Sequence, residues 1–443
     1  MSFSPSTPTP CQWFCYLAAA LDRRSAARLA LVFVGALLAR GRRTVTSWIR
    51  AAGLSAAYKP VYTAVAAAGK RADAIAARLT WQAVKPLVAA AGRVTFALDD
   101  TPTERYGPHV QGAGTHHNPA PGPAGGPFVY GHVWVVLAVL AQHPAWGVVA
   151  LPLLARLYVR AKDLAGIDPW HRPPFRTKLE LAVELIRWAV STVSHWGKRL
   201  WVVTDGAYAK AAFLKPMKAL GVTVVSRLRK DAALYTVPAD RRPGQRGRSR
   251  VYGERRIALA KRAGQRRGWT TGTFDLYGEP TVKRYKAFVA TWRPAGGAIR
   301  VVLVGELTGW RAYFCTDVSA SVADVLESVA DRFALETAFR DCKEVVGAGQ
   351  QQVRFVWASV GAFHLCLWTF TMTEAWAWQR PADGLVDRSA SPWDDATRRP
   401  SHADKRRAWR QELLRQEIHA TLRAGATCEE IHTVAERLLA LAA

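Results

Sequence analysis

The sequence predicts an α/β protein in which a mixed β-sheet is interrupted by a mostly β insertion and flanked by helical regions at both ends. Two observations predict the sheet. Apolar β-type runs follow one another through residues 93–159, and a strand–helix–strand pattern occupies residues 200–226. Further β-type runs in residues 270–316 predict the insertion. Residues 17–90 and 404–443 have the composition and spacing of helices, which predicts the two helical ends.

The chain carries a large positive charge. Its 443 residues include 61 Lys and Arg against 34 Asp and Glu, which gives a formal net charge of +27. Half of the residues are hydrophobic, so we expect a folded chain, and its length suggests about three structural units. Such a basic excess in a folded protein indicates a polyanionic partner, with nucleic acid as the first candidate. An acidic small molecule would not require it.

Cysteine spacing and local motifs argue against several other classes of protein. The six cysteines are scattered and form no CxxC or His-containing zinc set, which favours reduced thiols in a cytoplasmic protein. We expect no signal peptide, and no phosphate-binding or dinucleotide-binding glycine motif predicts a nucleotide cofactor. Residues 128–159 are long and apolar enough for a membrane span, but Gln142, His143 and Pro144 divide them. Their Val-, Trp- and Tyr-rich composition predicts a buried hairpin and no membrane partner.

Residues 1–90 are predicted to be a helical DNA-binding region. Leu17–Arg40 is rich in Ala and Leu, and Thr44–Ala52 is predicted to be a second helix. Gly53 ends that helix, and Ser55 is a candidate cap for a third. Two helices joined by a glycine-containing turn in basic surroundings are compatible with a helix-turn-helix unit. Many small helical bundles share this pattern, so both interpretations stay open.

Residues 91–226 are predicted to form the first part of a sheet-based core. A short strand over residues 93–98 precedes the hairpin described above, and a helix over residues 178–193 follows it. The strand–helix–strand unit then has strands at 200–204 and 222–226. Three antiparallel strands followed by such a unit is the order of an RNase H-like domain. That fold presents carboxylates near strand ends.

Residues 227–320 are predicted to be the β-rich insertion, and they are strongly basic near their start. Eleven Lys and Arg residues and a single acid, Glu254, lie between Arg241 and Arg267. We expect this stretch to neutralise DNA phosphates, although a solvated flexible loop would have the same composition. The candidate contact residues are Arg246, Arg248, Arg250, Arg255 and Arg256.

The rest of the chain is predicted to be largely helical. Residues 321–379 complete the core, with one helix over 322–343 and another over 364–378. Residues 380–443 are predicted to be a polar linker followed by a basic helical tail that begins near Asp404.

Three acidic residues are the candidate catalytic and metal-binding groups. Asp99 and Asp205 each follow a predicted strand, and Glu336 lies on a predicted helix. Carboxylates suit Mg²⁺ or Mn²⁺, and two such ions activate the attacking oxygen and stabilise the leaving oxygen of a phosphodiester. Any one of these acids alone could be a turn or cap residue. Asp100 competes with Asp99, and we favour Asp99 because it directly follows the strand.

Basic residues surround Glu336 along its helix. Arg332 lies four residues before it and Lys343 seven residues after it, so the three share one face of a regular helix. Arg340 lies one turn after Glu336. Cations placed in this way can hold phosphates beside a metal-binding acid, but a solvated, salt-bridged helix face would have the same pattern.

Four segments resemble those of the DDE transposases of bacterial insertion sequences, in the branch whose RNase H-like domain is interrupted by a β-rich insertion. The segments are Phe96–Thr101, Tyr130–Trp134, Val203–Gly206 and Asp331–Lys343. That branch has a signature of Tyr, Arg, Glu and Lys separated by two, three and six residues. Arg332, Glu336 and Lys343 satisfy it, and Val329 stands at the Tyr position.

The resemblance implies that Asp99, Asp205 and Glu336 hold two Mg²⁺ or Mn²⁺ ions. It implies cleavage of double-stranded DNA at terminal inverted repeats and joining of the freed 3′-hydroxyls to target DNA. It also implies DNA contacts by Arg332 and Lys343, a homodimer on paired ends and association with the bacterial nucleoid. Two alternatives remain: a catalytically silent DNA-binding derivative of a transposase, and an RNase H-like nuclease that acts on RNA–DNA hybrids or junctions.

Overall fold

The structure is a computed structural model that describes residues 10–117, 125–240, 247–389, 391–421 and 427–442. Its strands are β1 (Arg93–Glu104), β2 (Gly114–His117), β3 (Phe128–His143), β4 (Gly147–Tyr158), β5 (Arg199–Thr204), β6 (Thr223–Leu228), β7 (Leu234–Tyr235), β8 (Arg256–Ile257), β9 (Thr270–Leu276), β10 (Glu279–Trp292), β11 (Gly297–Glu306) and β12 (Gly309–Cys315). Its helices are α1 (Pro10–Ala18), α2 (Arg23–Leu38), α3 (Val45–Ala51), α4 (Tyr58–Lys70), α5 (Ala72–Leu79), α6 (Lys178–Val193), α7 (Ala211–Ala219), α8 (Leu259–Gly264), α9 (Val322–Asp331), α10 (Phe333–Asp341), α11 (Val356–Ala377), α12 (His402–Thr421) and α13 (Cys428–Ala442). All twelve strands belong to one sheet.

The first half of the sheet has the RNase H-like order that the sequence predicts. Its strands lie in the order β4, β3, β1, β5 and β6. β3 is antiparallel to both β1 and β4, whereas β5 is parallel to both β1 and β6. Residues 131–141 of β3 are all buried, because helices cover both faces of this part of the sheet. The predictions of an α/β fold and of a hairpin over residues 128–159 are confirmed.

The inserted strands continue the same sheet. β12 pairs antiparallel with β6, and Ala312 lies opposite Leu228. β11 and β10 follow, while β9 and β7 each pair with a different part of β10. The prediction of a β-rich insertion is confirmed, and β9 spans the predicted residues 270–276. The pairing of β12 with β6 joins the insertion to the core.

The helices cover opposite faces of the sheet. Neighbouring residues of a strand point to opposite faces. Asp99 of β1 contacts Arg332, between α9 and α10, whereas Asp100 contacts Lys178 at the start of α6. The helix α11 lies on the Arg332 side and is buried along most of its length by β4, α4, α2 and α12. None of the helices in the described ranges combines the length and apolarity that a membrane span needs.

The N-terminal helices are part of the main hydrophobic core. The predicted helix over residues 17–40 is wrong in its start, because α1 ends at Ala18 and the side chain of Asp22 caps a new helix, α2. Ser55 does not cap the next long helix, since α4 begins only at Tyr58 and has no side-chain cap. α4 packs closely on α11: a Cβ added at Gly361 would overlap the carbonyl oxygen of Val65. The region is therefore built into the protein and does not form a separate bundle.

A buried ionic cluster attaches the first turns of α12 to α11. Glu374 accepts hydrogen bonds from Lys405 Nζ at 2.5 Å and bonds to His402 Nδ1 at 2.7 Å. Burial alone would raise the pKa of Glu374, but the charge of Lys405 and the bond to His402 lower this pKa to about 2. Arg406 donates to the carbonyl oxygens of Ala36 and Ala39. The predicted C-terminal helix is present, and its beginning is docked on the core.

Candidate active site

The register of β1 and β5 brings Asp99 and Asp205 side by side. The last parallel pair joins Leu98 to Thr204, and Asp205 continues the extended backbone with φ −67° and ψ 158°. Asp205 directly follows β5, as the sequence predicts. The prediction that Asp99 directly follows its strand is wrong. β1 continues to Glu104, because β3 keeps pairing with it beyond the end of β5.

Arg332 connects Asp99 to Glu336. Its guanidinium donates to Asp99 Oδ2 through Nη1 and to Glu336 Oε1 through Nη2, the latter at 2.9 Å. The side chains of Arg332 and Asp99 are each 19% exposed, and that of Glu336 is 45% exposed. The helix predicted over residues 322–343 is divided at Arg332. Because Arg332 keeps α-helical dihedral angles (φ −56°, ψ −27°), the predicted spacing from Arg332 to Glu336 is retained.

Asp100 faces the other side of the sheet. Its Oδ2 atom accepts from Lys178 Nζ at 2.5 Å, and its Oδ1 atom accepts from the hydroxyl of Tyr208 at 3.3 Å. Lys178 is held there by the start of α6, where Thr177 and Glu180 form a reciprocal capping box. The face that carries Glu336 therefore holds Asp99, while Asp100 is paired with a cation on the opposite face.

The carboxylates are close enough to affect one another electrostatically. Burial, helped by the charges of Asp100 and Asp205 and opposed by Arg332, raises the pKa of Asp99 to about 6. Burial also raises the pKa of the Tyr208 hydroxyl, with added contributions from Asp100, Asp99 and Asp205. Negative charge therefore accumulates between β1 and β5, where a cation would relieve the repulsion.

The acidic residues fit a divalent cation in their chemistry. Asp99, Asp205 and Glu336 supply only carboxylate oxygens, which are the ligands that Mg²⁺ and Mn²⁺ prefer. As the side chains stand, no three His, Cys, Asp or Glu residues in the described part of the chain converge on one point. The guanidinium of Arg332 occupies the position between Asp99 and Glu336. A cation that binds both carboxylates must displace it.

Lys343 and Arg340 lie beyond Glu336 in different environments. Lys343 belongs to a turn of π-helical geometry that follows α10, so the regular helix of the prediction does not extend to it. Burial lowers the pKa of Lys343, and the nearby charge of Glu104 opposes this effect. Arg340 is exposed and pairs with Asp341 at 3.5 Å. Of the two, Arg340 is the more accessible to a ligand.

The predicted DNA-contact residues of the insertion lie on its surface where the structure describes them. Arg248, Arg250, Arg255 and Arg256 are all exposed. Arg250 pairs with Glu254. The predicted contact at Arg246 lies outside the described residues.

A cationic cleft beside Asp205 was missed by sequence reasoning. Its volume is about 500 Å³, and its lining includes Lys210, Arg227 and Arg311. Arg227 could have been found, because it lies just after the predicted strand over residues 222–226, and the ends of parallel strands meet at one edge of a sheet. No local signal marks Arg311, which reaches the cleft only through the pairing of β12 with β6.

The strand order, with one acid on β1 and another directly after β5, places the protein among RNase H-like α/β proteins. Residues 16–293 match the family described as DDE superfamily endonuclease, and the chain belongs to that family. Its membership implies DNA as the substrate and an enzyme of the nuclease or transposase type. A search of curated proteins finds no match. The matched residues include Asp99 and Asp205, whereas Glu336 lies beyond them. The assignment of Glu336 to the site therefore depends on its contact with Arg332, which also contacts Asp99.

Proposed function

We propose that the protein is the transposase of an insertion sequence. It cuts double-stranded DNA at the terminal inverted repeats and joins the freed 3′-hydroxyl ends to target DNA. The observation that carries this proposal is the strand register that sets Asp99 beside Asp205, on the face where Arg332 reaches Glu336. This is the arrangement that a phosphodiester-cutting site on an RNase H-like sheet requires, and the family match supports it.

Asp99, Asp205 and Glu336 would hold two Mg²⁺ or Mn²⁺ ions. Such ions activate the attacking oxygen and stabilise the leaving oxygen of a phosphodiester. The chain's own groups prepare the site. Lys178 holds Asp100 on the opposite face, and Arg332 is positioned to contact a DNA phosphate once it leaves Glu336.

The charge distribution supports DNA as the partner. The chain has a net charge of +27, and exposed arginines on the insertion and on α10 offer contacts to phosphates. Those contacts include Arg248, Arg255, Arg256 and Arg340. Two copies of the chain would bridge the two ends of the element, and the DNA they act on would place them at the nucleoid.

The direct test is cleavage of a labelled duplex that carries the inverted repeat, with Mg²⁺ or Mn²⁺. We expect nicking at the element boundary by the wild type. We expect Asp205→Asn and Glu336→Gln to lose activity by roughly 100-fold or more, since each removes a ligand. Glu344→Gln is the control, because Glu344 is an exposed acid beyond α10 and outside the proposed ligand set. Equal activity in all four proteins would refute the assignment of these acids.

Two observations favour a second candidate, a catalytically silent DNA-binding derivative. Arg332 lies between Asp99 and Glu336, and Val329, at the signature's Tyr position, is half-buried against the core. The derivative would bind the inverted repeat tightly and nick no duplex with either metal. Nicking of RNA–DNA hybrids in preference to the inverted repeat would instead select an RNase H-like nuclease.

A further inference from the structure

The cleft beside Asp205 carries more positive charge than its surroundings neutralise. We call it the Asp205 cleft. Among the residues that the structure describes, five cationic and two acidic side chains line it, together with small and apolar residues. The charged residues are Lys210, Arg227, Arg229, Lys230, Arg311, Asp205 and Asp231.

Three different elements supply the cations, and they meet at the proposed active site. Thr204 pairs with Ser226, so Arg227 lies in β6 at the level where Asp205 follows β5. The two chains are close at this point, since a Cβ added at Gly206 would lie 3.3 Å from the carbonyl oxygen of Arg227. Lys210 precedes α7, and Arg311 comes from β12. The cleft therefore extends directly from Asp205.

Two of the five cations already have partners. Arg229 forms a bidentate pair with Asp231, with distances of 2.9 and 2.8 Å. The ammonium of Lys230 lies 5.1 Å from the ring centroid of Trp310. These contacts hold both side chains within the protein's own surface and leave them less available to a ligand.

The other three cations are uncompensated. Within the described ranges, the side chains of Lys210, Arg227 and Arg311 have no hydrogen-bond or ion-pair partner, and all three residues are exposed. Like charges gathered around one cleft repel each other, so an anionic ligand lowers their energy. Because the cations come from separate elements around an open cleft, a ligand with several phosphates in a row can satisfy all of them.

We propose that the Asp205 cleft binds the phosphodiester backbone of DNA next to the strand that is cut, with Lys210, Arg227 and Arg311 each neutralising a phosphate. This assignment rests on the proposed function for the location of the cut strand. The cleft would hold the DNA in place beside Asp205, and Arg227 would be the contact nearest to the reacting phosphate. RNA has the same phosphates and is therefore an outcome of the test.

The test measures the affinity for duplex DNA at several salt concentrations by fluorescence anisotropy, with EDTA present so that no cleavage occurs. One variant combines Lys210→Gln, Arg227→Gln and Arg311→Gln. The loss of three phosphate contacts should make the slope of the logarithm of the DNA-binding constant against the logarithm of the salt concentration shallower by about 2.7. A matched control combines Lys162→Gln, Arg187→Gln and Arg415→Gln, which removes the same charge from exposed positions outside the cleft. The control should keep a slope close to that of the wild type.

The proposal is overturned if the slope of the cleft variant is unchanged, or if the control shows an equally large decrease in slope. Circular dichroism shows whether the triple variant is folded. If it is not, Arg227→Gln alone should reduce the slope by about 0.9, and an unchanged slope in this single variant also overturns the proposal. A reduced slope for duplex RNA with no change for DNA rejects DNA as the occupant.

The same proteins separate this proposal from the proposed function. If the cleft variant loses DNA affinity but the wild type cleaves no duplex, the cleft assignment stands and the transposase proposal fails. If the wild type cleaves and the slope of the cleft variant is unchanged, the transposase proposal stands and the cleft assignment fails.

Discussion

Replacing Arg332 with methionine removes the guanidinium that links Asp99 to Glu336. In the wild type, a metal ion that binds both carboxylates must first break the two contacts of Arg332. Methionine keeps much of the aliphatic stem and offers no donor, so the two carboxylates face each other without a cation. We expect Arg332→Met to bind Mn²⁺ more tightly than the wild type in the absence of DNA.

The size of the effect follows from the exposure of the two contacts. The bond to Asp99 joins side chains that are each 19% exposed, and a hydrogen bond to a charged group of this kind contributes about 1.5–3 kcal/mol. The contact with Glu336, whose side chain is 45% exposed, adds only about 0.5 kcal/mol because water screens it. A total of about 2–3.5 kcal/mol corresponds to a dissociation constant that is roughly 30- to 400-fold lower.

Mn²⁺ binding is measured by the electron paramagnetic resonance signal of the free ion or by isothermal titration calorimetry. Arg340→Met is the matched control, since Arg340 lies on α10 with Glu336 and pairs with Asp341 at 3.5 Å. It should leave the dissociation constant unchanged. A wild-type affinity equal to or tighter than that of Arg332→Met would refute the view that Arg332 competes with the metal ion.

Three further predictions concern stability. Gly361→Ala should lower the free energy of unfolding by about 3 kcal/mol in denaturant titrations, because the new Cβ overlaps the backbone of α4. The control Gly92→Ala should change this free energy little, because its new Cβ meets nothing within 4 Å. Equal effects of the two substitutions would contradict the packing argument. Lys405→Met should lower the free energy of unfolding by about 3–5 kcal/mol, because it leaves Glu374 buried without its cation. Adding Glu374→Gln should restore part of that stability. An unchanged stability of the single variant would show that the cluster is not buried in solution. The pKa of Asp99 is about 6 in the folded chain against 3.8 for a free side chain, so the folded state binds the proton more tightly. The free energy of unfolding therefore falls by about 3 kcal/mol as the pH rises from about 4 to above 6. Asp99→Asn should therefore raise the melting temperature at pH 8 and not at pH 4, and a gain of equal size at both pH values would contradict this sign.

Much of the fold could be predicted because the signals that define single elements are local. The helix over residues 178–193 has the predicted bounds, since a Thr177–Glu180 capping box fixes its start. The strand at 270–276 likewise has the predicted bounds. The spacing of Arg332 and Glu336 predicted their contact, because residues four apart on a helix are neighbours. Asp99 and Asp205 are neighbours because β1 and β5 pair in parallel, with Leu98 opposite Thr204.

Features that depend on pairing between distant segments could not be predicted in the same way. β1 runs past Asp99 only because β3, more than thirty residues away at Val136, still pairs with it. The division of the predicted helix at Arg332 and the burial of Lys405 on α11 are set by packing against other elements. No residue pattern near Arg311 indicates that it faces the same cleft as Asp205.

The sequence by itself determined the α/β class, the order of the strands along the chain, the basic character of the protein and the three candidate acids. These properties depend on composition, on periodicity and on strand-end positions, which are contained in short stretches of chain. The tertiary structure decided that Asp99 and not Asp100 shares a face with Glu336, that Arg332 lies between the two acids, and that the insertion extends the core sheet. Those outcomes depend on strand register and on helix docking, where segments far apart in the chain compete for one another's surfaces.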